Sequence, residues 1–173
     1  MDEIEVKILN IDRKKVEEKL ISLGAKKIFD GKIQASFFDF PNKSIRNNKQ
    51  TLRLRRVGDK TFLTFKNPIP HNDVKIREEF EVEVSDFNKT KNILESLGLS
   101  EWLTMKKHRT TYILDNVRFE FDKHIDQYSF VPEFLEIEAK DIKTLYKYVE
   151  LLGFKKEDCK PWTILDIVKN IYS

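Results

Sequence analysis

The sequence predicts an α+β protein: a largely antiparallel sheet with one charged face and helices against the other. Three observations predict it. Charged residues recur at every second position in segment after segment, which is the side-chain period of a strand. Neighbouring segments are joined by short turn-forming steps, Gly58-Asp59 and Asp115-Asn116. Three stretches with apolar residues at helical spacing each end in a Leu-Gly pair, Leu23-Gly24, Leu97-Gly98 and Leu152-Gly153.

Composition bounds the reading. The 173 residues suffice for a single domain, 1–173, with its own core. Hydrophobic residues make up 40% of the chain without any long apolar run, so no membrane partner is expected. The chain begins directly with a charged strand, which leaves no room for a signal peptide. Cys159 is the only cysteine, so neither an internal disulfide nor a cysteine metal site is expected, and the reducing cytoplasm is the default location. The net charge of +3 hides a charged content of 35% with both signs interleaved, a pattern of a heavily solvated surface. A nucleic-acid binder would segregate its positive charge, so no nucleic-acid partner is expected.

In chain order, Glu3, Glu5 and Lys7 share one face of the first strand, opposite Ile4, Val6 and Ile8. Asn10 or Asp12 caps a helix with Val16, Leu20 and Leu23 at i, i+4 and i+7, closed by Gly24. A strand from Ile33 to Phe40 stops at Pro41-Asn42, and the polar segment 42–49 reads as a turn-like connection. Thr51 to Arg56 alternates, with Arg53 and Arg55 opposite Leu52 and Leu54, and the returning strand 61–66 places Phe62, Thr64 and Lys66 together. Segment 67–73, with Pro68 and Pro70, reads as a loop. Arg77, Glu79, Glu81 and Glu83 then share a strand face opposite Phe80, Val82 and Val84. A helix capped near Asp86 ends at Gly98. The strand pair 106–114 and 117–123 gathers Lys107, Arg109 and Thr111, then Arg118, Glu120 and Asp122. After a loop at 128–133, Glu136-Ile137-Glu138-Ala139-Lys140 repeats the pattern of the first strand. A third helix carries Ile142, Leu145, Val149 and Leu152, and Pro161 opens a last one with Leu165 and Val168. Strand-then-helix thus recurs three times.

The apolar strand faces give the helices a surface, and the charged faces must meet water. Two arrangements satisfy this: an open sheet with one solvated charged face, or a closed barrel with a hydrated, charged lumen. In a lumen, clustered Arg and Lys match phosphate oxygens. Carboxylates beside them would repel phosphate unless a cation such as Mg²⁺ or Mn²⁺ sits between. Acids and bases together therefore suggest a metal–polyphosphate site. His71, His108 and His124 do not form a zinc pattern, and there is neither a Gly-rich phosphate loop nor a G-x-S-x-G motif.

These residues resemble a family. Glu3-Ile4-Glu5-Val6-Lys7 is similar to the Glu-x-Glu-x-Lys signature of the CYTH domain, or triphosphate tunnel metalloenzymes. Leu52-Arg53-Leu54-Arg55, Leu63-Thr64-Phe65-Lys66, Arg77 to Glu83, Lys107-His108-Arg109, Asp122 and Glu136-Ile137-Glu138 follow in the family's order. The resemblance implies an α+β fold built on a closed eight-stranded antiparallel tunnel flanked by helices. It implies Glu3, Glu5, Asp122, Glu136 and Glu138 as ligands of Mg²⁺ or Mn²⁺. Lys7, Arg53, Arg55, Lys66, Lys107 and Arg109 would hold a triphosphate, with Glu5, Lys7, Arg109 and Glu136 at the chemistry. Arg77, Glu79 and Glu81 either join the site or balance one another's charge. The segment 129–133 departs from the family in lacking a glycine before the last tunnel strand, which bears on the shape of one tunnel mouth. Lys160-Pro161-Trp162 resembles the C-terminal segment that closes over one end, with Trp162 either contacting a base or packing in the core. By size and layout the chain is most similar to the class IV adenylyl cyclase branch. The alternatives are a triphosphatase acting on thiamine triphosphate or tripolyphosphate, and a non-catalytic nucleotide or polyphosphate binder. A homodimer, if formed, would pair through helices or loops, since a closed barrel leaves few strand edges.

Overall fold

The computed structural model describes residues 2–171. In chain order the elements are β1 (Asp2–Ile8), α1 (Arg13–Ser22), β2 (Lys26–Asp39), α2 (Ser44–Asn47), β3 (Thr51–Val57), β4 (Lys60–Ile69), β5 (Lys75–Val84) and α3 (Phe87–Ser96). Then come β6 (Ser100–Leu114), β7 (Val117–His124), β8 (Phe134–Ala139), α4 (Ile142–Leu151), a 3-10 turn (Lys156–Asp158), β9 (Cys159–Lys160) and α5 (Ile164–Ile171).

Eight strands lie in the order β5-β4-β3-β2-β6-β7-β8-β1, each antiparallel to its neighbour. A further pairing, Asp2–Glu5 of β1 against Lys75–Glu78 of β5, joins the two ends. The closed barrel is therefore the arrangement adopted, and the open sheet is not. Strand β9 pairs with Lys7 and Ile8, on the stretch of β1 beyond its partnership with β5.

The local chemistry follows the sequence closely. Asp12, Asp86 and Asp141 cap α1, α3 and α4, each accepting a backbone N–H three residues on. Gly24, Gly98 and Gly153 follow at φ near +90°, each twelve residues after its aspartate. Positive φ at both Asp115 (49°) and Asn116 (65°) gives the β6–β7 hairpin the twist its strands require.

The core lies outside the barrel wall. Val16 and Leu20 of α1 and Leu145, Tyr148 and Val149 of α4 pack on Ile4, Val6, Ile8, Phe119, Phe121, Leu135 and Ile137. A second cluster joins Leu94 of α3 to Phe38, Ile45 and Leu54. A third seats Ile167 of α5 on Val131 and on Phe134, which itself lines the lumen; Trp162 packs against this cluster and does not line the lumen. Helices do not cover the whole outer wall: Phe80 and Val82 of β5 are 57% and 56% exposed.

Several elements differ from expectation. Strand β2 begins at Lys26 and β6 at Ser100, because their mutual pairing carries polar residues that no alternation marks. The segment 42–49 contains α2, whose Ile45 and Arg46 backbone N–H groups, with Arg46 Nε, donate to the buried Asp39 carboxylate. Strand β4 runs through Pro68 to Ile69 in register with Ile76, so part of the expected loop is strand. The last helix starts at Ile164, not Pro161, with Thr163 and Asp166 bonded to each other across its first turn. One bulge bears on the site. Phe37 pairs with Leu103 and Phe38 with Glu101, so Trp102 is the extra residue on β6.

Candidate active site

The charged strand faces turn inward and line a cavity of about 580 Å³. Every residue expected in the site lines it: Glu3, Glu5 and Lys7 from β1, Arg53 and Arg55 from β3, Lys66 from β4, Lys107 and Arg109 from β6, Asp122 from β7, and Glu136 and Glu138 from β8. Arg77, Glu79 and Glu81 of β5 line it as well.

Burying so many charges costs several kcal/mol each unless they are paired, and pairing is what the registry supplies. Lys7 stands opposite Glu136 in the β1–β8 ladder. Its Nζ lies 2.5 Å from Glu136 and 3.0 Å from Glu5. Burial opposes the charge on Lys7, yet Glu136 and Glu5 hold its pKa above the usual value. Arg109 faces Asp122 in the β6–β7 ladder and grips it with Nε at 2.6 Å and Nη2 at 2.5 Å; it also pairs with Glu120 and reaches Glu136 at 3.4 Å. Lys107 adds a 2.6 Å pair to Asp122. Against the cost of burial, Arg109 and Lys107 keep the Asp122 carboxyl well below its ordinary range.

The opposite wall is different. Arg53 reaches Glu81 only at 3.9 Å and Thr64 at 3.4 Å, Arg55 pairs with Glu81 at 3.0 Å, and Arg77 donates to Thr51 at 2.9 Å. The Nε of all three is buried with no hydrogen-bond partner among the described residues. The proximity of Arg53, with burial, lowers the Arg55 pKa to about 10. These under-used donors form an anion-seeking wall on β3 and β5, while β1, β6, β7 and β8 carry compensated pairs.

Two carboxylates remain poorly compensated. Burial, with Glu5 nearby, pushes Glu3 up to about 7, although Lys66 pairs with it. Burial, with Glu3 and Glu120 nearby, pushes Glu138 to about 8.

A model of the CYTH domain matches residues 1–158. The chain belongs to the CYTH domain family. A Methanocaldococcus jannaschii protein named "putative adenylate cyclase" is 31% identical over 152 residues, covering 87% of this chain and 85% of that protein. Among solved structures, a Pyrococcus horikoshii protein superposes with a TM-score of 0.79 at 26% identity, covering 95% of this chain and 98% of that one. A Hippeastrum "putative adenylyl cyclase", described as having a dominant triphosphatase activity, matches with a TM-score of 0.70 at 17% identity, covering 97% and 95%. The last likeness is one of fold alone.

The CYTH lumen here also holds residues that strand reading missed. Lys75 sits opposite Glu5, pairs with it, and is lowered to about 8 chiefly by burial. Its position shares the parity of Arg77, but its strand partner lies on distant β1, which alternation within the segment does not reveal. His124 extends the face of Asp122, 4% exposed, between Tyr128 and Phe134.

The donor set fits a hard cation in its chemistry: all five expected ligands are carboxylates on the inner faces of adjoining strands, and Glu3 and Glu138 stay raised by burial and neighbouring carboxylates despite Lys66 and Arg118. Among the described residues no three acidic or imidazole groups are drawn together as a ready cage, since Glu5, Asp122 and Glu136 each hold a lysine or arginine. Cation and phosphate would have to take over those pairs together.

Lys66 is the sharpest test of the phosphate wall. Its Nζ is shared by Glu3 and Glu79. Lys66→Ala is expected to weaken tripolyphosphate binding roughly tenfold or more, the size of one charge-assisted hydrogen bond. Calorimetry would check it, and unchanged affinity would remove β4 from the binding wall.

Proposed function

We propose that the protein is a divalent-metal-dependent enzyme acting on a triphosphate held in the tunnel, and that it acts as an adenylyl cyclase converting ATP to cyclic AMP and pyrophosphate. The observation that carries this reading is the two-sided lumen: arginines with unfilled donors on β3 and β5 face carboxylates on β1, β7 and β8. A triphosphate satisfies the first side and repels the second, so a bound cation completes the arrangement. The 31% likeness to the Methanocaldococcus jannaschii protein supports the cyclase over other outcomes.

In this reading Arg53, Arg55, Lys66, Lys107 and Arg109 bind and orient the phosphates, with Lys7 beside them. Glu3, Glu5, Asp122, Glu136 and Glu138 would hold Mg²⁺ or Mn²⁺, which when bound neutralises phosphate charge and favours an ionised nucleophile. Arg109 would shift from its carboxylates toward a phosphate oxygen as charge develops on the leaving group. Lys7, held protonated by Glu136 and Glu5, supplies fixed positive charge rather than a base. Hydrolysis, with water attacking the terminal phosphorus, uses the same residues and is the second reading; the basic side chains and a bound cation would fix the triphosphate without selecting the attacking oxygen.

Product analysis tests it. ATP, thiamine triphosphate and tripolyphosphate would be incubated separately with Mg²⁺ or Mn²⁺ and the products separated. Cyclic AMP with pyrophosphate is the expected result. Orthophosphate without cyclic product would make the enzyme a triphosphatase. Tight triphosphate binding without turnover under either metal would overturn the enzymatic reading.

A further inference from the structure

Among the described residues the barrel closes along only part of β5. Strand β1 pairs with Lys75–Glu78, its Asp2 standing opposite Glu78, while β5 runs on to Val84. From Glu79 to Val84, β5 is paired with β4 on one side and, among the described residues, with no strand on the other. Every second residue there turns its N–H and C=O away from β4, toward the open side. The stretch is nevertheless fixed. Strand β4 pairs along its whole length, and Val84 packs against the cluster that Leu94 of α3 joins.

The side chains of this edge alternate. Phe80 and Val82 face outward and are exposed, beside Phe65 and Leu63 of β4. Glu79, Glu81 and Glu83 share the opposite face. The partners of Glu81 and Glu83 among the described residues, Arg53, Arg55, Thr64 and Lys60, all come from β3 and β4, behind the edge.

Other one-sided stretches carry devices that block strand addition. Lys26–Lys32 of β2, beyond the reach of β3, has three lysines and a bulge at Ile28. The start of β6, before β7 pairs with it, is covered by Ile125 and Gln127, which donate to the Lys106 and Thr104 carbonyls. The end of β4 beyond β3 carries Pro68. Glu79–Val84 has neither lysine, proline nor bulge; its guard is the row of glutamates. That row excludes a second copy. Two β5 edges related by a two-fold axis keep residues of one face opposite each other, so every register sets glutamate against glutamate. The same row attracts lysine or arginine at every second position of an added strand.

We propose that Glu79–Val84 is a docking edge for an extended segment of a partner protein in which basic residues alternate with apolar ones. The segment adds to the sheet as a further strand. Its main chain fills the open N–H and C=O groups, its apolar side chains cover Phe80 and Val82, and its basic ones reach Glu81 and Glu83. This surface lies on the outer wall and is independent of what the tunnel binds.

Fluorescence anisotropy tests it with a short labelled peptide alternating lysine and valine. One control peptide carries the same residues in separate lysine and valine blocks, and the other alternates glutamate with valine. The alternating basic peptide is expected to bind about tenfold more tightly than either control. The double substitution Phe80→Lys, Val82→Lys, at exposed positions outside the lumen, should weaken it about tenfold or more while the protein still melts as a folded one. Phe80→Leu should keep most of the binding. Hydrogen exchange on the complex should show new protection at residues 79–84. Equal affinity for the block peptide would reduce the effect to charge attraction, and protection confined to β1 and β8 would place the peptide in the tunnel; either result overturns the docking edge. A wild-type dimer dissolved by the double substitution would make the occupant a second copy and overturn it too, as would failure of the alternating basic peptide to bind.

Discussion

Glu136→Gln is expected to lower metal-dependent turnover by roughly 10²-fold or more while the protein remains folded. The substitution keeps the volume and removes only charge. Glu136 is 8% exposed, sits between Lys7 and Arg109, and belongs to the carboxylate side of the lumen. Lys7 keeps Glu5 as a partner and Arg109 keeps Asp122 and Glu120, so neither cation is left stranded. The loss should appear in kcat, with the triphosphate affinity held by β3 and β4 changing much less. Steady-state kinetics alongside a thermal melt would check this. Wild-type turnover in a folded Glu136→Gln protein would remove Glu136 from the metal site.

The second large effect is on stability. Metal-free protein should lose thermal stability between pH 6.5 and 8, by roughly 5 °C or more. Glu138 titrates at about 8 and Glu3 at about 7 when folded, against 4.5 for the free side chain. Across that window the folded state therefore holds protons that the unfolded chain has released, and folding weakens as pH rises. His124, lowered to about 4 by burial, acts in the opposite sense but only below its unfolded value of 6.5. Lys75, lowered to about 8 from 10.5, restores stability only above pH 8. A minimum near pH 8 follows. Adding Mg²⁺ should raise the melting temperature most at that minimum, where both carboxylates are ionised, and Glu138→Gln should flatten the slope. Melts in EDTA across this range, showing no slope, would contradict the crowding of Glu3 and Glu138.

The site was legible because a barrel with a charged lumen writes itself in period two. Glu3, Glu5 and Lys7, or Arg53 and Arg55, need only alternation to share a face, and pairing the strands then brings Lys7 to Glu136 and Arg109 to Asp122. Closure was not legible from alternation, because an open sheet with a wet face shows the same pattern; it depends on four β1–β5 pairs joining distant segments. What alternation hides is what breaks it. The Trp102 bulge shifts the phase of β6, Pro68 masks the continuation of β4 to Ile69, and Lys75 has its strand partner, Glu5, on distant β1. The inward apolar residues Phe37 and Met105 carry no charge to announce that they face the lumen.

The closing strand has a consequence for how the chain reaches this state. Strands β2 to β5 and β6 to β8 are each runs of adjacent antiparallel neighbours that form from local contacts. Strand β1 has no such partner: Ile4 pairs with Ile76 on one side and Ala139 on the other. The first barrel strand therefore waits for the last, and ring closure bears the entropy of the longest loops in the barrel. Until then both meanders expose free strand edges, which makes the interval before β1 docks the period of greatest risk of misassembly during synthesis.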